Sequence, residues 1–210
     1  MAEENNSRES ILNNIKEALA NPVPLPFPGV DDASYGEIYP QSEEDLTLTF
    51  ANEFNRIGGR FIFCESVQQL PALLRQLLAD EKLEKVYFKD DFVGQILGNT
   101  SFKNLADSHV SITGCECLVA RTGTMVLSSA GQAGRATSVY APVHICIAFT
   151  PQLFFDLREA LEFLQKKYGE NLPSNISFAT GPSRTADIEK TLVTGVHGPK
   201  VSYCILVETA

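Results

Sequence analysis

The run Gly181-Pro182-Ser183-Arg184-Thr185-Ala186-Asp187-Ile188-Glu189 concentrates residue types that bind small anions and move protons, and His197 follows between two glycines in Gly195-Val196-His197-Gly198-Pro199. Gly181 lets a ligand approach the backbone, the Ser183 and Thr185 hydroxyls add donors, and Arg184 offers a planar fork for a carboxylate or phosphate. Histidine titrates near neutral pH, so His197 can take or orient the hydroxyl proton of a 2-hydroxy acid, or it can be a turn residue bonding the backbone. Asp187 and Glu189 complete the proton-handling set. Two positions apart on a helix, they point about 200° from each other, so at most one serves catalysis while the other pairs with Arg184 or caps amides.

These residues need elements to hold them. Asn175–Ala179 is a short β-prone run that Gly181-Pro182 breaks, and Ser183 or Thr185 can cap a helix with Asp187 and Glu189 in its first turn. Gly195 and Pro199 end that helix, and Val201–Val207 is the next strand. The pattern predicts a βαβ unit whose polar turn lies at the carboxyl end of a parallel strand, where helix N-termini receive small anions. The alternative is a well-capped helix with one solvated arginine.

Three further sets invite the same question. Thr122, Gly123 and Thr124 separate two apolar runs, and either present hydroxyls and open backbone to a ligand or form an ordinary turn. Arg135 lies in a small, polar loop, residues 128–138, where it can close over a carboxylate or stay solvated. His144 follows Pro142 in the strand Val143–Phe149 and reads as a hydrogen-bonded core histidine or as a site residue. No metal site is expected: His109, His144 and His197 lack zinc spacing, and Cys115-Glu116-Cys117 lacks a second pair.

The rest of the chain predicts an α/β domain behind an appendage. Ile11, Ile15, Ala18 and Leu19 give residues 7–20 an apolar helical face, and alternating prolines over 21–28 make an extended linker. Residues 1–41 are therefore one unit, and its helix packs either on its own domain or on a second copy, making a homo-oligomer. Over 42–210, Leu46, Phe50, Phe54 and Ile57 mark a core-facing helix ended by Gly58-Gly59, and strands at 60–64 and 85–88 alternate with helical patterns at 66–80 and after Asp90. A last helix is expected over 152–168. Such alternation predicts a three-layer fold, a mostly parallel sheet with helices on both faces.

Composition removes several functions. A formal charge of -9 with no Lys/Arg cluster excludes the basic footprint a nucleic-acid partner needs. No apolar run approaches the length of a membrane span, and Met1 to Asn6 lacks the features of a signal peptide, so no membrane insertion is expected and the location read is cytoplasmic. Five cysteines in mostly apolar surroundings read as reduced core residues.

Gly181–Glu189 with Gly195–Pro199, Ile112-Thr113-Gly114 with Thr122–Leu127, and Pro142–Ile145 together resemble the LUD-domain family in its lactate-utilization branch, over roughly residues 40 to 210. The resemblance implies a fold similar to the NagB/RpiA/CoA-transferase group and a part in oxidising L-lactate to pyruvate beside iron–sulfur partner proteins. Relatives often carry an acid where this chain has Arg121. No Gly-x-Gly-x-x-Gly follows a strand and no cysteine array is present, so electrons would leave through partners and the cofactor stays unassigned. The competing function is a stand-alone enzyme, or a non-catalytic module, binding a small anionic ligand such as a sugar phosphate or acyl-CoA.

Overall fold

The computed structural model describes residues 2–20, 45–98, 101–188 and 191–209. Contacts divide the chain into Met1–Pro40 and Gln41–Ala210. The first unit holds helix α1 (Ala2–Ala20), on which Ile11, Leu12, Ile15 and Leu19 are exposed. The proline-rich run at 21–28 lies outside the described residues.

In the second unit the elements follow in the order α2 (Leu46–Arg56), β1 (Arg60–Cys64), α3 (Leu70–Asp80), β2 (Val86–Phe88), α4 (Asp91–Leu97), β3 (Val110–Thr113), β4 (Cys117–Val119) and β5 (Thr124–Ser128). Then come α5 (Thr137–Tyr140), β6 (Val143–Phe149), β7 (Leu153–Phe154), α6 (Leu157–Tyr168), β8 (Ile176–Ala179), β9 (Arg184–Ile188), β10 (Thr191–Thr194) and β11 (Val201–Val207). The Asp45 carboxylate starts α2 by accepting the Thr47 and Leu48 amides at 2.7 and 3.2 Å. At its far end Gly58 takes φ +90°, and Gly59 leaves room for the Phe54 ring, which a Cβ would meet at 2.4 Å.

Five strands form a wholly parallel sheet in the order β1-β11-β6-β3-β2. On one face Leu70 and Leu74 of α3 and Val93 and Leu97 of α4 pack with Ile112, Ile145 and Ile205. On the other, Phe50 and Phe54 of α2 pack with Cys146, Cys204 and Leu206, joined by Leu118 and Met125 from a second sheet ordered β7-β4-β5-β8. Fully burying each of these large side chains contributes about 1.5–3 kcal/mol. The outer face of the second sheet is closed by Ala160 and Leu164 of α6 against Cys117, Val119 and Val126. The parallel sheet with helices on both faces is thus present, and a second sheet is added to one of those faces.

Residues 184–188 form strand β9 rather than a helix, paired antiparallel with β10 through Arg184↔Thr194, Thr185↔Val193 and Ile188↔Thr191. Thr185, Ile188, Thr191 and Val193 are β-branched, which suits an extended hairpin as readily as Ser and Asp suit a helix cap. Nor do β8 and β11 form the expected βαβ unit, because β8 belongs to the second sheet, antiparallel to β5, while β11 sits between β1 and β6.

Candidate functional site

The same rearrangement moves the Gly181 turn. Gly181 has φ +80°, and a Cβ there would lie 3.1 Å from the Ile57 carbonyl oxygen, just ahead of β1. The Ser183 amide donates to the Pro199 carbonyl at 2.9 Å, just ahead of β11, and the Gly195 amide donates to the Ser183 carbonyl at 3.0 Å. The turn therefore lies over the amino ends of the parallel strands, opposite to the expected carboxyl edge.

It nevertheless roofs a cleft of about 320 Å3. Thr180, Ser183 and Arg184 line it from the turn, His197 from the loop before β11, and His144 and Ser202 from β6 and β11. His144 and Ser202 are neighbours in register, with Ser111 of β3 on the histidine's other side. All three are essentially inaccessible, at 0–1% exposure. His144 Nε2 and Thr113 Oγ1 are hydrogen-bonded at 2.9 Å. Burial pushes the imidazole down to about 4, so at neutral pH it is an uncharged donor and acceptor. Among the described residues, the Ser111 and Ser202 hydroxyls have no protein hydrogen-bond partner. A buried hydroxyl without a partner is costly, and the Ser202 residue borders the cleft.

Gly181, Ser183, Arg184, His144 and His197 thus meet at one cleft. Thr122, Gly123 and Thr124 reach it indirectly. Thr122 Oγ1 bonds Thr124 Oγ1, and Thr124 Oγ1 bonds Thr180 Oγ1, each at 2.8 Å, so a file of hydroxyls ends at the cleft wall. Gly123 faces protein instead: a Cβ would stand 2.6 Å from the Phe54 backbone nitrogen. Thr185 is in β9, and Asp187 is described in the same strand by its backbone alone. Glu189 lies outside the described residues. Arg135 stands apart, giving a hydrogen bond to Ser174 Oγ at 2.6 Å.

Two arginines have structural duties. Arg184 Nη2 donates to the carbonyl of Ile57, the C-cap of α2, where a cation also complements the helix dipole. Arg184→Ala is expected to lower stability by about 1 kcal/mol, read as a lower melting temperature; an unchanged melting temperature would remove this anchoring role. Arg121 Nε bonds Asp156 Oδ2 at 2.6 Å, and Asp156 caps α6. Burial works against the Asp156 charge, but the hydrogen bonds from Arg121 and the Arg158 amide outweigh it and hold the carboxyl below its ordinary value.

Thr180 and Ser202 also border the cleft and were not among the residues expected there. Thr180 adjoins Gly181 and could have been taken with the turn. Ser202 sits in an apolar strand, where a single serine carries no signal until its register beside His144 is known. Among the described residues no group of three or more His, Cys, Asp or Glu side chains could hold a metal ion, and no helix is long and apolar enough to cross a membrane.

An α/β protein with a cleft holding two histidines, an arginine and serines beneath a turn-and-hairpin roof is the class that fold and site define. Residues 97–207, just over half of the chain, match the family model of the LUD domain, and the chain belongs to that family. It is similar to an uncharacterized protein of Neisseria meningitidis serogroup B, 29% identical over 92% of this chain and 90% of that one. It is also similar to lactate utilization protein C of Bacillus subtilis, 36% identical over 52% of this chain and 47% of that protein, and to lactate utilization protein C 1 of Bacillus mycoides, 38% identical over 51% and 46%. The match spans about half the length of those lactate utilization proteins. A solved structure of a DUF162 family protein from Deinococcus radiodurans shares the fold, with a TM-score of 0.59 at 21% identity, covering 80% of this chain and 99% of that one.

Proposed function

We propose that this chain is a component of a lactate-utilization system and that the cleft under the Gly181 turn holds a small 2-hydroxy or 2-oxo acid. The observation that carries the binding role is the Ser202 hydroxyl, buried without a protein partner next to a neutral His144. A ligand hydroxyl or carbonyl would complete that pair. His197 and Arg184 at the same cleft are suited to the carboxylate. The similarity to lactate utilization proteins C supports lactate or pyruvate as the acid.

Converting lactate to pyruvate releases two electrons and two protons. Their acceptor would be iron–sulfur partner proteins in the cytoplasm, with this subunit binding the acid. The likeness to the NagB/RpiA/CoA-transferase group belongs to the same proposal, as does assembly through the exposed apolar residues of α1 with a second copy.

Calorimetry with L-lactate and pyruvate tests the site. Ser202→Ala is expected to weaken binding about tenfold, equivalent to ~1.4 kcal/mol, while leaving stability unchanged or slightly raised, because the unpaired hydroxyl is gone. Ser111→Ala removes the same kind of hydroxyl away from the cleft and should leave affinity intact. Binding of neither acid, or equal affinity in wild type and Ser202→Ala, would overturn the assignment. Pull-down of iron–sulfur proteins with the tagged chain tests the partner role separately.

A further inference from the structure

A second cleft, of about 380 Å3, opens at the other edge of the parallel sheet. The chain leaves β2 through α4, which packs on one face, and leaves β3 into the second sheet, which packs on the opposite face. The carboxyl ends of β2 and β3 therefore part company, and such a switch point is where open parallel sheets leave a crevice for ligands. Across it the Gly114 amide donates to Asp90 Oδ2 at 3.0 Å.

The far wall is built around Glu116, which is 7% exposed. Its Oε2 accepts from Lys167 Nζ at 2.7 Å, and its Oε1 accepts from the Tyr168 hydroxyl at 2.7 Å and from Ser128 Oγ. Burial disfavours the carboxylate charge, but the hydrogen bonds from Lys167, Ser128 and Tyr168 outweigh it and hold the pKa below its ordinary value. An ion pair with one partner in water, as Lys167 is at 45% side-chain exposure, adds little to stability by itself. Here one is assembled from three separate segments, the loop after β3, the end of β5 and the end of α6, and all of them border the cleft.

We propose that this cleft is a binding site for a neutral, polyhydroxylated small molecule of the monosaccharide or polyol class. Asp90 and Glu116 against Lys167 leave the wall negative, which repels phosphate esters and other anions. Hydroxyl groups donate and accept at once, so vicinal ones match the carboxylate, ammonium and hydroxyl groups set side by side on this wall. Phe92 and Leu127 supply apolar surface for the C–H face of such a ligand. At about 380 Å3 the cleft has room for a monosaccharide, and its negative wall, not its size, sets it apart from the cleft of about 320 Å3 under the Gly181 turn, where Arg184 and His197 suit a carboxylate.

The test is titration of the full chain with D-glucose, D-ribose and myo-inositol, beside ribose 5-phosphate and L-lactate, followed by calorimetry and by amide resonances. The expected result is that at least one neutral compound shifts the Gly114 and Gly131–Gly134 amides and binds at least tenfold more tightly than ribose 5-phosphate. Asp90→Asn or Glu116→Gln should weaken it about tenfold, whereas Ser202→Ala, in the other cleft, leaves this affinity where it was. The proposal fails if no neutral compound moves those amides, if ribose 5-phosphate binds more tightly, or if both substitutions leave affinity unchanged. Failure of lactate binding bears only on the cleft under the Gly181 turn.

Discussion

Gly123→Ala is expected to destabilise the protein by about 3 kcal/mol or more, lowering the melting temperature by roughly 6–12 °C. Two costs add. Gly123 has φ +60°, a conformation an L-residue enters at a cost of about 1–2 kcal/mol. Its Cβ would also stand 2.6 Å from the Phe54 nitrogen and 2.8 Å from the Glu53 carbonyl carbon, backbone atoms of α2 that have no rotamer to change. Gly134 is the internal control, with φ +65° and nothing within 4 Å of the added carbon. Gly134→Ala should therefore cost only about 1 kcal/mol. Equal losses in the two variants, read by urea denaturation, would show that contact with α2 contributes nothing.

Acid should unfold the protein through His144 before its carboxylates matter. The folded-state pKa is about 4 against an ordinary 6.5. A depressed pKa gives stability that is whole above the unfolded-state value and is lost as pH falls, because the unfolded chain takes the proton first. The loss runs from about pH 6.5 down to about pH 4 and reaches up to about 3 kcal/mol. Glu116 and Asp156, also held low, add to it only below their ordinary values of 4.5 and 3.8. His144→Gln, which can keep a bond to Thr113, should flatten the stability profile between pH 6.5 and 5. A profile as steep in the variant as in the wild type would assign the transition to other groups.

Local pattern carried much of the fold. The spacing of Leu46, Phe50 and Phe54 and the stop at Gly58-Gly59 match α2, and the apolar run Val143–Phe149 is β6 to the residue. The turn expected at Thr122–Thr124 between two apolar runs joins the antiparallel strands β4 and β5. The last helix, expected over 152–168, begins at Leu157, because Leu153 and Phe154 pair with β4 as β7. What local pattern could not carry is which sheet a strand joins. Ile176–Ala179 reads the same whether it extends the parallel sheet or pairs with β5, and only the long-range partner decides.

The candidate site divides along the same line. Gly181, Ser183 and Arg184 were visible because they are consecutive or nearly so, and His144 and His197 stood out by residue type. Their meeting with Ser202 depends on the register of β6 beside β11, a pairing of residues far apart in the chain. The Glu116 network was invisible for the same reason. Its lysine and tyrosine come from the end of α6, some fifty positions later, and no short spacing links them.

The place of β11 between β1 and β6 governs how the molecule is made. Arg60 pairs with Tyr203 and Cys64 with Val207, so β1 waits through the synthesis of every intervening element for its neighbour. Until β11 inserts, the nascent chain carries an unpaired strand beside half-covered apolar faces, the state most prone to aggregate. Closure of the sheet over so long a loop makes folding slow. Yield in the cell should therefore depend on chaperone capacity and on the rate at which the ribosome reaches β11.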